Sequence, residues 1–165
     1  MKRTTRLALT LLLVAMTVGC DRSTKTVARG LRELPSRSYL GDVIRIEYAE
    51  NPGGFLSLGA DLSPALRFWV FTILVAGFLA AVAGRVALGQ RLKLLEIVGL
   101  SLLAGGGLGN WLDRVLNHGL VVDFMNVGIG GLRTGIFNVA DLAITLGLVL
   151  LLMATRDGSG QLEAA

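Results

Sequence analysis

The sequence predicts an all-α membrane protein, with four transmembrane helices and a small extracytoplasmic β-sheet between the first and the second. Three observations predict it. Of the 165 residues, 53% are hydrophobic and only 17% charged, where soluble domains carry about 25% charged residues. The apolar residues are gathered into four long blocks, and a bilayer crossing takes roughly 20 such residues. The one long polar connection, 27–64, carries strand and turn signals. The chain reads as a single domain over 1–156, with its sheet within 27–64 and a disordered cytoplasmic tail over 157–165.

Lys2, Arg3 and Arg6 precede the first apolar run, 7–20. That is also the pattern of a secretory signal peptide, and Thr17-Val18-Gly19-Cys20 is close to the box at which bacterial lipoproteins are acylated and cut. Leucine is preferred where Thr17 stands, however, and three more apolar segments follow in place of a soluble domain. A retained helix is the better reading. The run is too short to cross a bilayer alone, so the helix must continue to about residue 26. Asp21 and Lys25 then share one face, four apart, near its end. They either form an interfacial ion pair or brace a polar site there.

Within the polar connection, Val43-Ile44-Arg45-Ile46-Glu47-Tyr48 reads as a strand, Asn51-Pro52-Gly53-Gly54 as a turn, and Phe55-Leu56-Ser57-Leu58 as a returning strand. The second span, 66–86, has charge only at Arg67 and Arg85, with Trp69 as an interfacial aromatic. Arg85, Arg91 and Lys93 make the following loop basic. The third span, 94–112, contains Gly105-Gly106-Gly107-Leu108-Gly109, small residues that let helix backbones approach. Asn110, Asp113 and Arg114 lie at its end, with Asn110 and Arg114 on one helical face. Counted back from Arg156, the fourth span begins near residue 135. Asp141 then falls about 9 Å below the hydrocarbon edge at the helical rise of ~1.5 Å per residue. A carboxylate there must be paired, protonated or in a wet cavity.

The basic N-terminal segment and the basic 85–93 loop favour the cytoplasm. Both termini are then cytoplasmic, and Asp21, Lys25, Asn51, Asn110, Arg114, Asp123, Asn138 and Asp141 gather at the opposite side.

Composition narrows the chemistry. A single cysteine excludes an internal disulfide, and a single histidine, His118, excludes His-dependent triads other than a pairing with Ser101, which lacks the flanking glycine pattern of a rhomboid site. The net charge of +4 comes from scattered arginines with no basic helix, so no nucleic-acid partner is expected. What remains is a pair of carboxylates, Asp123 and Asp141, in the stretch 121–141 with Asn138 beside the second. Two such groups within reach share one proton. The ionised member takes a proton from water as it attacks a peptide carbonyl, and the protonated member donates to the carbonyl oxygen. This aspartyl-peptidase chemistry needs no cofactor and no metal. A rival class, a transporter or proton relay using the same carboxylates, predicts ionisable residues through the bilayer or an internal repeat; the sequence has neither.

Five blocks carry a resemblance: Asp21-Arg22-Ser23-Thr24-Lys25, Asn51-Pro52-Gly53, Gly105-Gly106-Gly107-Leu108-Gly109-Asn110 with Asp113-Arg114, Val121-Val122-Asp123-Phe124, and Phe137-Asn138-Val139-Ala140-Asp141. In this order, on four spans, the chain resembles the lipoprotein signal peptidase (signal peptidase II) family of bacterial inner-membrane aspartyl peptidases. The resemblance implies that Asp123 and Asp141 are the catalytic dyad, and that Asp21, Lys25, Asn51, Gly53, Asn110, Arg114 and Asn138 support or line the site. It implies diacylglyceryl-modified prolipoprotein substrates cut before the lipidated cysteine, a membrane-lipid environment, a sheet that cradles the substrate, and inhibition by globomycin-type antibiotics. The chain departs from the family pattern at Arg22, where glutamine is usual, and at Gly54-Phe55-Leu56, where the aromatic comes one place early.

Overall fold

The four apolar blocks form helices α1 (Arg3–Arg29), α2 (Pro64–Leu88), α3 (Leu94–Leu116) and α4 (Val139–Ser159). A computed structural model describes residues 1–89 and 92–159 of the chain. Each helix has the length and apolarity to cross a membrane. Arg91 of the basic loop and residues 160–165 of the expected tail lie outside the described residues, while α4 itself runs on past Arg156 to Ser159.

Helix α1 starts earlier than the apolar run because Arg6 has partners. Its buried guanidinium donates to the carbonyls of Gly89 and, at 3.2 Å, Ala87. These lie at the C-terminal end of α2, where a cation offsets the free carbonyls. Helix α2 opens on Ser63, whose hydroxyl accepts the Leu66 N–H, with Pro64 in the first turn. Its Trp69–Leu74 stretch is a π-helical turn, and the Thr72 carbonyl there accepts the Trp111 indole N–H at 2.9 Å, tying α2 to α3.

The glycines of α3 are contact points. A Cβ on Gly105 would stand 2.7 Å from Thr17 Cβ, one on Gly109 2.7 Å from Asp21 Oδ2, and one on Gly106 would collide with the Ala140 carbonyl oxygen. Only glycine lets α1 and α4 approach this closely. Helix α3 also outruns the predicted span, so Asp113 and Arg114 are helical and buried.

The sheet is larger than predicted and draws on two connections. Strands β1 (Arg37–Tyr39), β2 (Ile44–Asn51), β3 (Val121–Ile129) and β4 (Leu132–Arg133) lie in that order, each pair antiparallel. The expected returning strand is replaced by a 3₁₀ turn, Phe55–Ser57. There the Gly54 N–H bonds the Leu58 carbonyl at 2.7 Å and Ser57 takes φ +63°, so the chain curls instead of extending. Strand β3, rich in β-branched and apolar residues, pairs with β2 in its place. Val122 and Phe124 pack on Ala28 of α1 and seat the sheet on the bundle.

Helix α4 starts at Val139, not near residue 135. The preceding residues are held by the sheet: Phe137 bridges to Met125, its N–H donating to the Met125 carbonyl at 2.8 Å. Asp141 is therefore in the first helical turn.

Candidate active site

The start of α4 is fixed by a reciprocal cap. Asn138 Oδ1 accepts the Asp141 N–H at 3.0 Å, and Asp141 Oδ2 accepts the Asn138 N–H at 3.1 Å. This capping box satisfies two donors that a helix start leaves open. It also holds the Asp141 carboxylate against the end of the helix dipole that favours negative charge.

The Asn138 amide then reaches β3. Its Nδ2 donates to Asp123 Oδ1 at 2.6 Å and lies 3.1 Å from Asn110 Oδ1. Asp123 pairs with Ala49 across the β2–β3 ladder, which makes Asn51 a diagonal neighbour on the same face. Asn51 Nδ2 donates to Asp123 Oδ2 at 2.9 Å and to the Gly54 carbonyl at 2.9 Å, while its Oδ1 accepts the Gly53 N–H at 2.8 Å. Both oxygens of Asp123 thus have amide partners, and one residue, Asn138, touches both carboxylates.

Helix α3 closes the group from the other side. Asn110 Nδ2 donates to Asp141 Oδ1 at 2.8 Å, and its oxygen accepts Lys25 Nζ at 2.8 Å. The ammonium leaves that amide only one orientation, with its NH2 toward Asp141. Lys25 also pairs with Asp21 at 2.8 Å and Asp113 at 3.0 Å, all three side chains fully buried. Asp21 Oδ1 accepts the Ala140 N–H at 3.0 Å, another open donor of the α4 start. Arg114 Nη2 donates to the Gly53 carbonyl at 2.6 Å, and a Cβ on Gly53 would meet Leu58 O at 2.6 Å, so the turn admits only glycine.

All nine residues singled out in the sequence are therefore in one hydrogen-bonded group. One member was passed over. Asp113 accepts Lys25, Arg22 at 2.7 Å and Arg29 at 3.5 Å. Its place one turn after Asn110 puts it on the same face, and that spacing was the available signal. Arg22, the departure from the family pattern, is accounted for by this pairing.

Burial raises Asp123 from 3.8 to about 6, with the neighbouring Asp141 charge adding to the shift; the Asn51 and Asn138 amides and Lys25 oppose it. The two carboxylates are 2% and 6% exposed. Such a pair can hold a single proton between its members and place an acid beside a base.

Fold and site define the class: a multi-pass membrane protein with a cluster of buried carboxylates, Asp123 and Asp141 joined through Asn138, where its helices meet a small sheet. A model of the signal peptidase (SPase) II family matches residues 13–156, and the chain belongs to that family. The lipoprotein signal peptidase of Thermosynechococcus vestitus is 37% identical over 141 residues, covering 83% of this chain and 84% of that protein. That of Rhodococcus jostii is 34% identical over 125 residues, covering 72% of this chain but 57% of the relative. A bacterial membrane enzyme solved by the in meso method at 2.3 Å resolution superposes with a TM-score of 0.80 at 30% identity, covering 93% of this chain and 91% of that one.

Proposed function

We propose that this chain is an aspartyl endopeptidase that removes signal peptides from diacylglyceryl-modified prolipoproteins, cutting on the N-terminal side of the lipidated cysteine. Family membership supports prolipoprotein processing. The aspartyl mechanism rests on one observation: Asn138 joins Asp123 and Asp141 in a buried, amide-lined site. One carboxylate, ionised, takes a proton from water as the oxygen attacks the scissile carbonyl. The other, protonated, donates to the carbonyl oxygen, and the proton passes to the departing amine. The titration belongs to the pair. Asn51, Asn110 and Asn138 orient the carboxylates; Lys25, Asp21, Gly53 and Arg114 hold those amides and the 51–54 turn.

The protein resides in the bacterial inner membrane with both termini cytoplasmic and the sheet on the periplasmic side, where lipid and substrate meet the site and globomycin-type inhibitors block it. The test is cleavage of a lipidated prolipoprotein by protein reconstituted in vesicles. Asp123→Asn and Asp141→Asn should each abolish turnover while the melting profile stays cooperative. Near wild-type turnover in either variant removes that carboxylate from the chemistry.

A further inference from the structure

A cavity of about 340 Å³ opens between α2 and α3 at the end of the bundle that carries the sheet. The residues lining it include Arg67, Arg114, His118, Phe68, Phe71 and Val115, and none of the described residues that line it is acidic. Arg114 is only 8% exposed, and its Nε has no hydrogen-bond partner among the described residues. Its two terminal nitrogens bond the Gly53 and Asn110 carbonyls, and its Cζ stands 5.2 Å over the Phe71 ring. Arg67 donates to the Ala60 carbonyl through Nη1. A buried guanidinium N–H without an acceptor is costly, and two cations facing one hollow call for an anion with several oxygens. The half-exposed Phe68 and exposed Trp69 place the opening at lipid level.

We infer that this cavity is a phosphate-binding site for an anionic phospholipid, with the phosphate between Arg67 and Arg114 and the upper acyl carbons on the aromatic walls. The site is coupled to the carboxylates by contacts already present. Arg114 holds the Gly53 carbonyl, and Asn51 holds both the Gly54 carbonyl and Asp123. Phe71 also lies beneath this loop, within 3.0 Å of where a Gly54 Cβ would stand. A bound phosphate would rigidify the turn that supports Asp123.

The test is binding to the full-length protein in detergent micelles, read by thermal midpoint. The probes are dioctanoyl phosphatidylglycerol, dioctanoylglycerol and inorganic phosphate. Phosphatidylglycerol should raise the midpoint of wild type, with affinity falling about 10-fold in Arg67→Gln, the loss expected for one charge-assisted bond, and largely restored in Arg67→Lys. Dioctanoylglycerol, lacking the phosphate, should give no shift. A shift by inorganic phosphate with the same Arg67 dependence supports the anion site and assigns it to free phosphate. Equal affinity for phosphatidylglycerol in wild type and Arg67→Gln, or an equal shift by dioctanoylglycerol, overturns the inference. Binding is read without turnover, so this result stands apart from the proteolytic assignment.

Discussion

Asn138 accepts the Asp141 N–H through its oxygen and donates to Asp123 through its nitrogen, so one side chain both starts α4 and ties it to β3. Asn138→Ala should cost about 1 kcal/mol as a lost cap. Because it also removes the amide donor to Asp123 Oδ1, while the backbone N–H to the Asp141 carboxylate is kept, turnover should fall on the order of 10²-fold. Measuring both quantities separates the two roles, and a loss of stability with unchanged turnover would leave only the cap. Asp123 gives a pH signature. Its folded value of about 6 lies above the ordinary 3.8, so between those limits the folded chain holds a proton that the unfolded chain has released. Stability therefore falls as pH rises from about 4 to about 6, by as much as ~3 kcal/mol. Asp123→Asn removes that penalty. Its melting midpoint should exceed wild type above pH 6, with the gain absent below pH 4. Lys25→Met leaves the buried Asp21 without its ammonium, while Asp113 keeps Arg22, and should destabilise by about 3–5 kcal/mol.

At the scale of elements, what the sequence made legible was what local pattern controls. Hydropathy located four spans, and the Asp21–Lys25 spacing gave a pair that is indeed on one face. Strand β2 was visible for the same reason. Its partner was not: β3 pairs with it from more than a whole span away, and the apolar run Val121-Val122-Asp123-Phe124 reads equally as the edge of a membrane segment. Span length puts the edge of the fourth span near residue 135, but it does not say where the helix itself begins, at Val139. The capping-box pair Asn138 and Asp141, three apart, carried the boundary in the sequence. The glycines of α3 were read as packing points, but which helix each one meets needs coordinates. Gly106→Ala drives a methyl into the Ala140 carbonyl and should push α4 off α3. We expect a loss of about 1–3 kcal/mol and a drop in turnover, whereas Gly84→Ala, with open space around it, should change neither.

For the whole molecule, the proposed orientation puts the β3–β4 turn outside and the α2–α3 loop inside. In a Cys20→Ser background, Gly131→Cys should react with a membrane-impermeant maleimide on intact spheroplasts, and Lys93→Cys only after lysis; the reverse pattern would invert the topology. The i,i+4 pairing of Asp21 with Lys25 also bears on how such a chain is assembled. During synthesis α1 leaves the ribosome long before Asp113 exists, yet the pair that stands at 2.8 Å in the folded chain needs no residue outside α1. The newborn segment can thus partition into lipid with this acid and base offsetting each other, its arginines lying toward the two ends of the helix. Only later does Asp113, arriving with α3, join Lys25 at 3.0 Å, converting a self-sufficient pair into the latch that docks two independently inserted helices.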